Sequence, residues 1–448
     1  MKKLEKLKEW DKTYLWHPFT QMKDWFESDP LIIDRAEGVY LIDIYGKRYI
    51  DGVSSIWCNV HGHRHPFIDR AIKEQLEKVA HTTFLGLSHP PGILLAKKLV
   101  EMAPDGLTRV FYSDNGATSV EVAIKMARGY WYYRGEKQKT KFIALKGAYH
   151  GDTIGAMSLG GIPIYQEPYS PLLFPVIRVE APYCYRCPFK KTYPQCGLLC
   201  LEDLERALKE HADETIAFII EPIVQGAAGI IVQPPTYLKK AWELCKKYGV
   251  LFIADEVATG FGRTGKMFAC DHEEVKPDLM CLSKGLTGGY LPLGVTLAKE
   301  EIFQAFLGEY QEFKAFFHGH TYTGNPLACA ASLGSLEVFE KEGVLEKLQS
   351  KIRLLEKELK RFWELDHVGD IRQKGFMVGI ELVEDPSTKN PFPPEKKVGQ
   401  KVVLEARKRG VIIRPLGDVI ILMPPLSISE WELTILIEAV YDSIKACV

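Results

Sequence analysis

Val250-Leu-Phe-Ile-Ala-Asp-Glu256 and Leu279-Met-Cys-Leu-Ser-Lys-Gly-Leu-Thr-Gly-Gly289 decide how this chain is read. Each opens as an apolar run of strand length and stops at an ionisable side chain, Asp255 in the first and Lys284 in the second. Burying either charge without a partner is costly, so a chain that brings an amine and a carboxylate to the ends of two buried strands has a use for them there. Outward from these strands, helical patterns at 93–102, 118–131 and 237–248 alternate with strand patterns at 109–112, 141–145 and 217–220. That alternation predicts an α/β fold with a mainly parallel sheet wrapped by helices. Ligands of such sheets sit beyond the carboxyl ends of the strands, where Asp255 and Lys284 fall.

The ends of the chain have a different texture. A strand pair is expected at 38–51, around the turn Tyr45-Gly-Lys47. After about residue 340 come a charged helix (343–364), a strand (376–381), a helix (398–409) and strands at 411–414 and 419–423. The expected division is 1–60 and 339–448 as one small α+β domain built from both ends, around a large domain at 61–338. Apolar residues make up 46% of the 448 and charged residues 26%, with a net charge of −1. This is ordinary globular composition, with no basic footprint for nucleic acid. No apolar run reaches the ~20 residues that span a bilayer, and Met1–Trp10 lacks the apolar core of a signal peptide. A soluble, cytoplasmic protein is the expectation.

An amine and a carboxylate at adjacent strand ends form either a salt bridge at the sheet rim or the two clamps of pyridoxal 5'-phosphate. That cofactor needs an amine for a Schiff base and a carboxylate on its ring nitrogen. Three further stretches bear on the choice. Ser113-Asp-Asn-Gly-Ala-Thr-Ser119 joins a strand to a helix and offers free N–H groups to a phosphate, or simply an N-cap. Tyr149, in Lys146-Gly-Ala-Tyr-His-Gly-Asp152, is placed to stack on a planar ring or to fill the core. Phe316-Phe-His-Gly-His-Thr-Tyr-Thr-Gly-Asn-Pro326 brings Thr321 to a phosphate or caps the following helix.

Asp114-Asn-Gly-Ala117, Tyr149-His-Gly151, Glu221-Pro222, Asp255-Glu-Val-Ala-Thr-Gly-Phe-Gly-Arg-Thr-Gly265, Ser283-Lys-Gly-Leu-Thr-Gly-Gly289 and His318–Pro326 together resemble the class III pyridoxal-phosphate aminotransferases of fold type I, over residues 14–440. The resemblance implies pyridoxal 5'-phosphate held by Lys284, with Asp255 at the ring nitrogen, Tyr149 on the ring, Gly116 and Ala117 at the phosphate, and Glu221 beside the cofactor. It also implies a homodimer in which Thr321 reaches the neighbouring subunit's phosphate. Trp16–Met22, Asp51–Trp57, His61–Pro66 and Arg414–Pro425 are similar to one branch, the 7,8-diaminopelargonate synthases. These move an amino group to 8-amino-7-oxononanoate, usually from S-adenosylmethionine. In that reading Phe19, Trp57, Asp152, Arg263, Gly319 and Arg414 meet substrate, Arg414 as a fork for the carboxylate. Other class III activities, on ω-amino acids, 4-aminobutyrate or acetylornithine, are the alternative. Two positions depart from the pattern. The adenosylmethionine-using members carry Trp-Trp at 56–57 and tyrosine at 19, whereas this chain has Ile56 and Phe19, which leans toward relatives that take lysine as donor. Adenosylmethionine stays the first choice.

Six of the ten cysteines sit in apolar contexts. The other four, Cys184, Cys187, Cys196 and Cys200, form Cys-x2-Cys and Cys-x3-Cys pairs in a proline-containing loop. Structural zinc, an iron–sulfur cluster, disulfides and free thiols are all open readings of that spacing. The cluster lies outside the expected active site, to which no metal ligand is assigned.

Overall fold

A computed structural model describes residues 2–448. Its centre is a seven-stranded sheet in the order Leu107–Ser113, Gly294–Lys299, Leu279–Leu282, Leu251–Asp255, Thr215–Ile220, Lys141–Leu145, Val176–Val179. Gly294–Lys299 runs antiparallel to both neighbours, and the other pairs are parallel. Thr215–Ile220 and Leu251–Asp255 are buried at every position, which explains their unbroken apolar runs. Asp255 pairs in register with Cys281, so the chain leaves both strands at the same edge. Helix Gly116–Tyr133 packs on the sheet through Val120, Ala123 and Ala127, the spacing of one helical face. Asn115 caps it, its side chain accepting the Thr118 N–H at 3.0 Å.

Both chain ends meet in two small sheets. Ile33–Glu37, Tyr40–Asp43 and Arg48–Asp51 form an antiparallel trio that Val411–Ile412 extends in parallel, Val411 opposite Ile50. Val368–Lys374, Met377–Leu382, Val419–Leu422 and Arg414–Leu416 form the second, all antiparallel. The single strand expected at 411–414 is therefore two short ones in different sheets. Pro415 lacks an N–H for a continuous ladder, and the chain turns at Ile413. The helix expected at 343–364 is an α-helix over Val344–Leu359 that tightens to a 3-10 turn at Lys360–Glu364. Among the described residues no helix is long and apolar enough to cross a membrane.

Candidate active site

Beyond the carboxyl ends of Leu251–Asp255 and Leu279–Leu282 lies a cavity of about 740 Å³, lined by Trp57, Gly116, Tyr149, Asp255 and Lys284 among others. Asp255, the last residue of its strand, is 4% exposed. Its Oδ2 lies 2.7 Å from His150 Nδ1, and its Oδ1 accepts the Val257 N–H at 3.1 Å. The neighbouring acid Glu256 faces away from the cavity, taking the Thr259 hydroxyl at 2.6 Å and the Cys270 N–H at 2.8 Å. A second buried carboxylate, Glu221, follows strand Thr215–Ile220 and accepts N–H groups from Tyr149 at 3.0 Å and Gly226 at 2.8 Å. Burial pushes its pKa up to about 7, with His150 pulling it down and Asp255 adding to the rise.

Lys284 stands in a tight turn, Lys284–Thr287, with φ +42°. That left-handed region costs a residue with a β-carbon about 1–2 kcal/mol, and such strain concentrates at functional sites. Two glycines just after it are also left-handed, and a β-carbon at Gly289 would lie 3.0 Å from the Asn59 nitrogen. Lys284 Nζ sits 5.1 Å from the Trp57 ring centroid and finds no hydrogen-bond partner among the described residues. Burial lowers its pKa below the ordinary lysine value, against the pull of the Asp255 and Glu221 charges. The result is an amine that is deprotonated, and so nucleophilic, more readily than a surface lysine.

The walls come from distant parts of the chain. Ser54, Ser55 and Trp57 all have positive φ. The turn that holds them is fixed by Asp51, whose two oxygens accept the Ser55 N–H at 2.9 and 2.7 Å, and by the Ser54 hydroxyl, which donates to the Met423 carbonyl at 2.7 Å. The Trp57 ring thereby lies on Gly226, where a β-carbon would sit 3.0 Å from it. Gly116 is similarly constrained, since a β-carbon there would meet Val257 at 2.5 Å. The Tyr149 hydroxyl donates to Asp152 at 2.7 Å. Tyr165 stands edge-on to both Tyr149 (6.2 Å) and Phe19 (5.3 Å), extending the aromatic wall outward from the cavity.

The structure thus gathers Lys284, Asp255, Glu221, Tyr149, Asp152, Gly116, Ala117 and Trp57 around one cavity. Phe19 is exposed at its approach. Arg414 lies within electrostatic reach of Tyr165, and its guanidinium makes no hydrogen bond or ion pair among the described residues. Arg263, expected at the substrate, is placed otherwise. It is 1% exposed, and its guanidinium donates to the Pro424 carbonyl at 2.6 Å and the Asn59 carbonyl at 3.0 Å. Burial lowers its pKa to about 10. Through these carbonyls the guanidinium ties the two chain ends together; its buried Nε has no partner, and Arg263 is not among the residues lining the cavity. Gly319 and Thr321 are exposed and do not line this chain's cavity. Sequence reasoning assigned no role to His150 or Tyr165. The only available signal for His150 was its place next to Tyr149, and Tyr165 had none.

The model of the family "Aminotransferase class-III" matches residues 23–444. This chain belongs to the class III aminotransferases. It is 53% identical over 439 residues to the adenosylmethionine-8-amino-7-oxononanoate aminotransferase of Geobacter sulfurreducens, covering 98% of this chain and 97% of that one. The crystal structure of the like-named enzyme of Methanocaldococcus jannaschii superposes with a TM-score of 0.95 at 52% identity, over 99% of both chains. An (S)-enantioselective omega-transaminase from Thermomicrobium roseum gives the same TM-score at 38% identity, again over 99% of both. Class III aminotransferases work with pyridoxal 5'-phosphate, and the residues here fit that group. The Lys284 amine is unpartnered. His150 Nε2 and Trp57 Nε1 are buried without partners on residues that line the cavity. The helix starting at Gly116 presents its free N–H groups to the same space, as an anion requires. The volume suits a cofactor and a small substrate together.

Proposed function

We propose that this chain transfers an amino group to 8-amino-7-oxononanoate, giving 7,8-diaminononanoate for biotin synthesis, with S-adenosylmethionine as donor. The observation that carries the chemistry is the unpartnered Lys284 amine sharing one cavity with Asp255, whose carboxylate His150 holds in place. Bound pyridoxal 5'-phosphate supplies an electron sink for the carbanion formed at the amine-bearing carbon. Lys284 would hold the cofactor, and its Nζ takes and returns the proton at that carbon. Asp255 keeps the ring nitrogen protonated. Gly116, Ala117 and, in a dimer, the Thr321 segment of the second copy would hold the phosphate, and Tyr149 would cover the ring, with Glu221 beside it. Trp57, Phe19 and Tyr149 enclose the nine-carbon chain, Asp152 faces the substrate amine, and the unpaired Arg414 receives the carboxylate.

The names of the relatives at 53% identity support the acceptor and the donor. The pairing of Val411–Ile412 with Arg48–Asp51 supports a small domain of 1–60 and 339–448 around a large one at 61–338. The exposure of Phe313 (65%), Phe317 (69%) and Tyr322 (62%) around Thr321 supports a homodimer with shared sites. A cytoplasmic location fits this biosynthetic role. The omega-transaminase likeness keeps an ω-amino acid reading in view, and acceptor choice separates the two. Purified protein given 8-amino-7-oxononanoate should turn over with adenosylmethionine. Turnover with lysine alone would replace the donor, and activity confined to short ω-amino acids would overturn the acceptor.

A further inference from the structure

The cysteine loop is built with more care than a surface insertion needs. Tyr183 and Arg186 both bond Glu381, Arg186 Nε at 2.7 Å, and Arg372 bonds the same carboxylate at 2.6 Å. Arg186 also reaches the Lys389 carbonyl at 2.8 Å, and Lys389 Nζ returns to the Tyr185 carbonyl at 2.6 Å. These contacts pin the segment Tyr183–Cys187 to the strand Met377–Leu382. On the other side, Cys200 lies in the first turn of helix Leu199–His211. Between the two halves is a small space of about 20 Å³ whose lining includes Cys184, Cys187, Cys196 and Cys200. That is room for a single ion or water. None of the four is disulfide-bonded.

We propose that these four thiols bind one tetrahedral, thiophilic divalent cation of the zinc class, which closes the loop against the helix Leu199–His211. All four cysteines border this one space. Two short-spaced pairs, one from a turn and one from a helix start, make a common way of reaching four sulfurs. Among the described residues no group of three ligating side chains is already drawn to a common point, so binding requires the four side chains to turn toward the space they share. Each thiol gives its proton to solvent on ligation. One Zn²⁺ therefore releases four protons and leaves a site of charge −2, which Lys191 at the cavity wall and the N-terminal dipole of the helix Leu199–His211 offset. The site is structural, because all four positions are filled by protein and none is left for substrate.

The test is metal analysis of the full-length protein purified under reducing conditions without chelator. About one zinc per chain is expected, falling to background in Cys184→Ser and Cys196→Ser and staying in Cys447→Ser. Should the serine variants fail to fold, cobalt exchanged into the wild type should show the visible bands of tetrahedral cobalt thiolate. Wild type that takes up no stoichiometric zinc or cobalt, that carries disulfides among the four on peptide mapping, or that holds iron with sulfide would overturn the proposal. None of these readouts depends on transamination.

Discussion

The cavity floor and the segment around Thr321 are both rich in residues of the cofactor pattern, yet the fold treats them in opposite ways. Asp255, Glu221 and Arg263 are buried, and every one has a partner inside the chain. Gly319 and Thr321 are exposed and touch no part of the cavity, although aromatic side chains surround them. The difference lies in what one chain satisfies by itself. Buried carboxylates such as Asp255 and Glu221 must find partners on folding, so this part of the cavity is complete within one chain. An exposed loop carries no such demand and is free to serve a second copy.

The largest effect should come from the floor. Asp255→Asn removes the charge proposed to face the ring nitrogen and should lower kcat by about 10²–10⁴-fold. It should also displace a titration. The Asp255 charge raises the Lys284 pKa against burial, so without it the amine loses its proton at lower pH. The rate of cofactor uptake by the apoenzyme, plotted against pH, should rise earlier in Asp255→Asn than in wild type. An unmoved profile would separate the two residues. The contrast between regions is sharpened by mixing. Lys284→Ala and Thr321→Asp are each expected to be inactive alone. If Thr321 serves the partner's cavity, dimers re-formed from the two variants regain one intact site in two, up to about half of wild-type activity for each mixed dimer. No recovery would place Thr321 in its own chain's site.

The two arginines give the smallest and most divergent effects. Arg263→Ala leaves buried carbonyls of both chain ends without donors and should destabilise the fold by about 3 kcal/mol in denaturant titration. Arg414→Ala breaks no bond among the described residues and should leave stability within about 0.5 kcal/mol. It should raise KM for the keto acid by about 10–100-fold, the worth of a charge-assisted pair.

These two positions also show where reading the sequence stops. The placement of Asp255 and Lys284 at one cavity is legible because an apolar run ending in a charge marks the end of a buried strand. Strand Lys141–Leu145 was read to the residue for a similar reason, being bounded by abrupt changes in polarity. Arg263 carried the same kind of motif signal as Lys284, but its burial away from the cavity lining is a property of the assembled chain ends, which no motif announces. The contact of His150 with Asp255 is not legible, because its partner lies 105 positions away in sequence. Strand Gly294–Lys299 was missed as well. Its antiparallel course depends on the turn after Lys284, and nothing in Gly-Val-Thr-Leu-Ala-Lys announces direction.

Borohydride reduction of the cofactor-loaded protein, followed by peptide mapping, tests the central assignment most directly. A pyridoxyl group fixed on Lys284, and absent after incubation with the amino donor, is the predicted result. A label on any other lysine, or none at all from a protein loaded to one cofactor per chain, would contradict it.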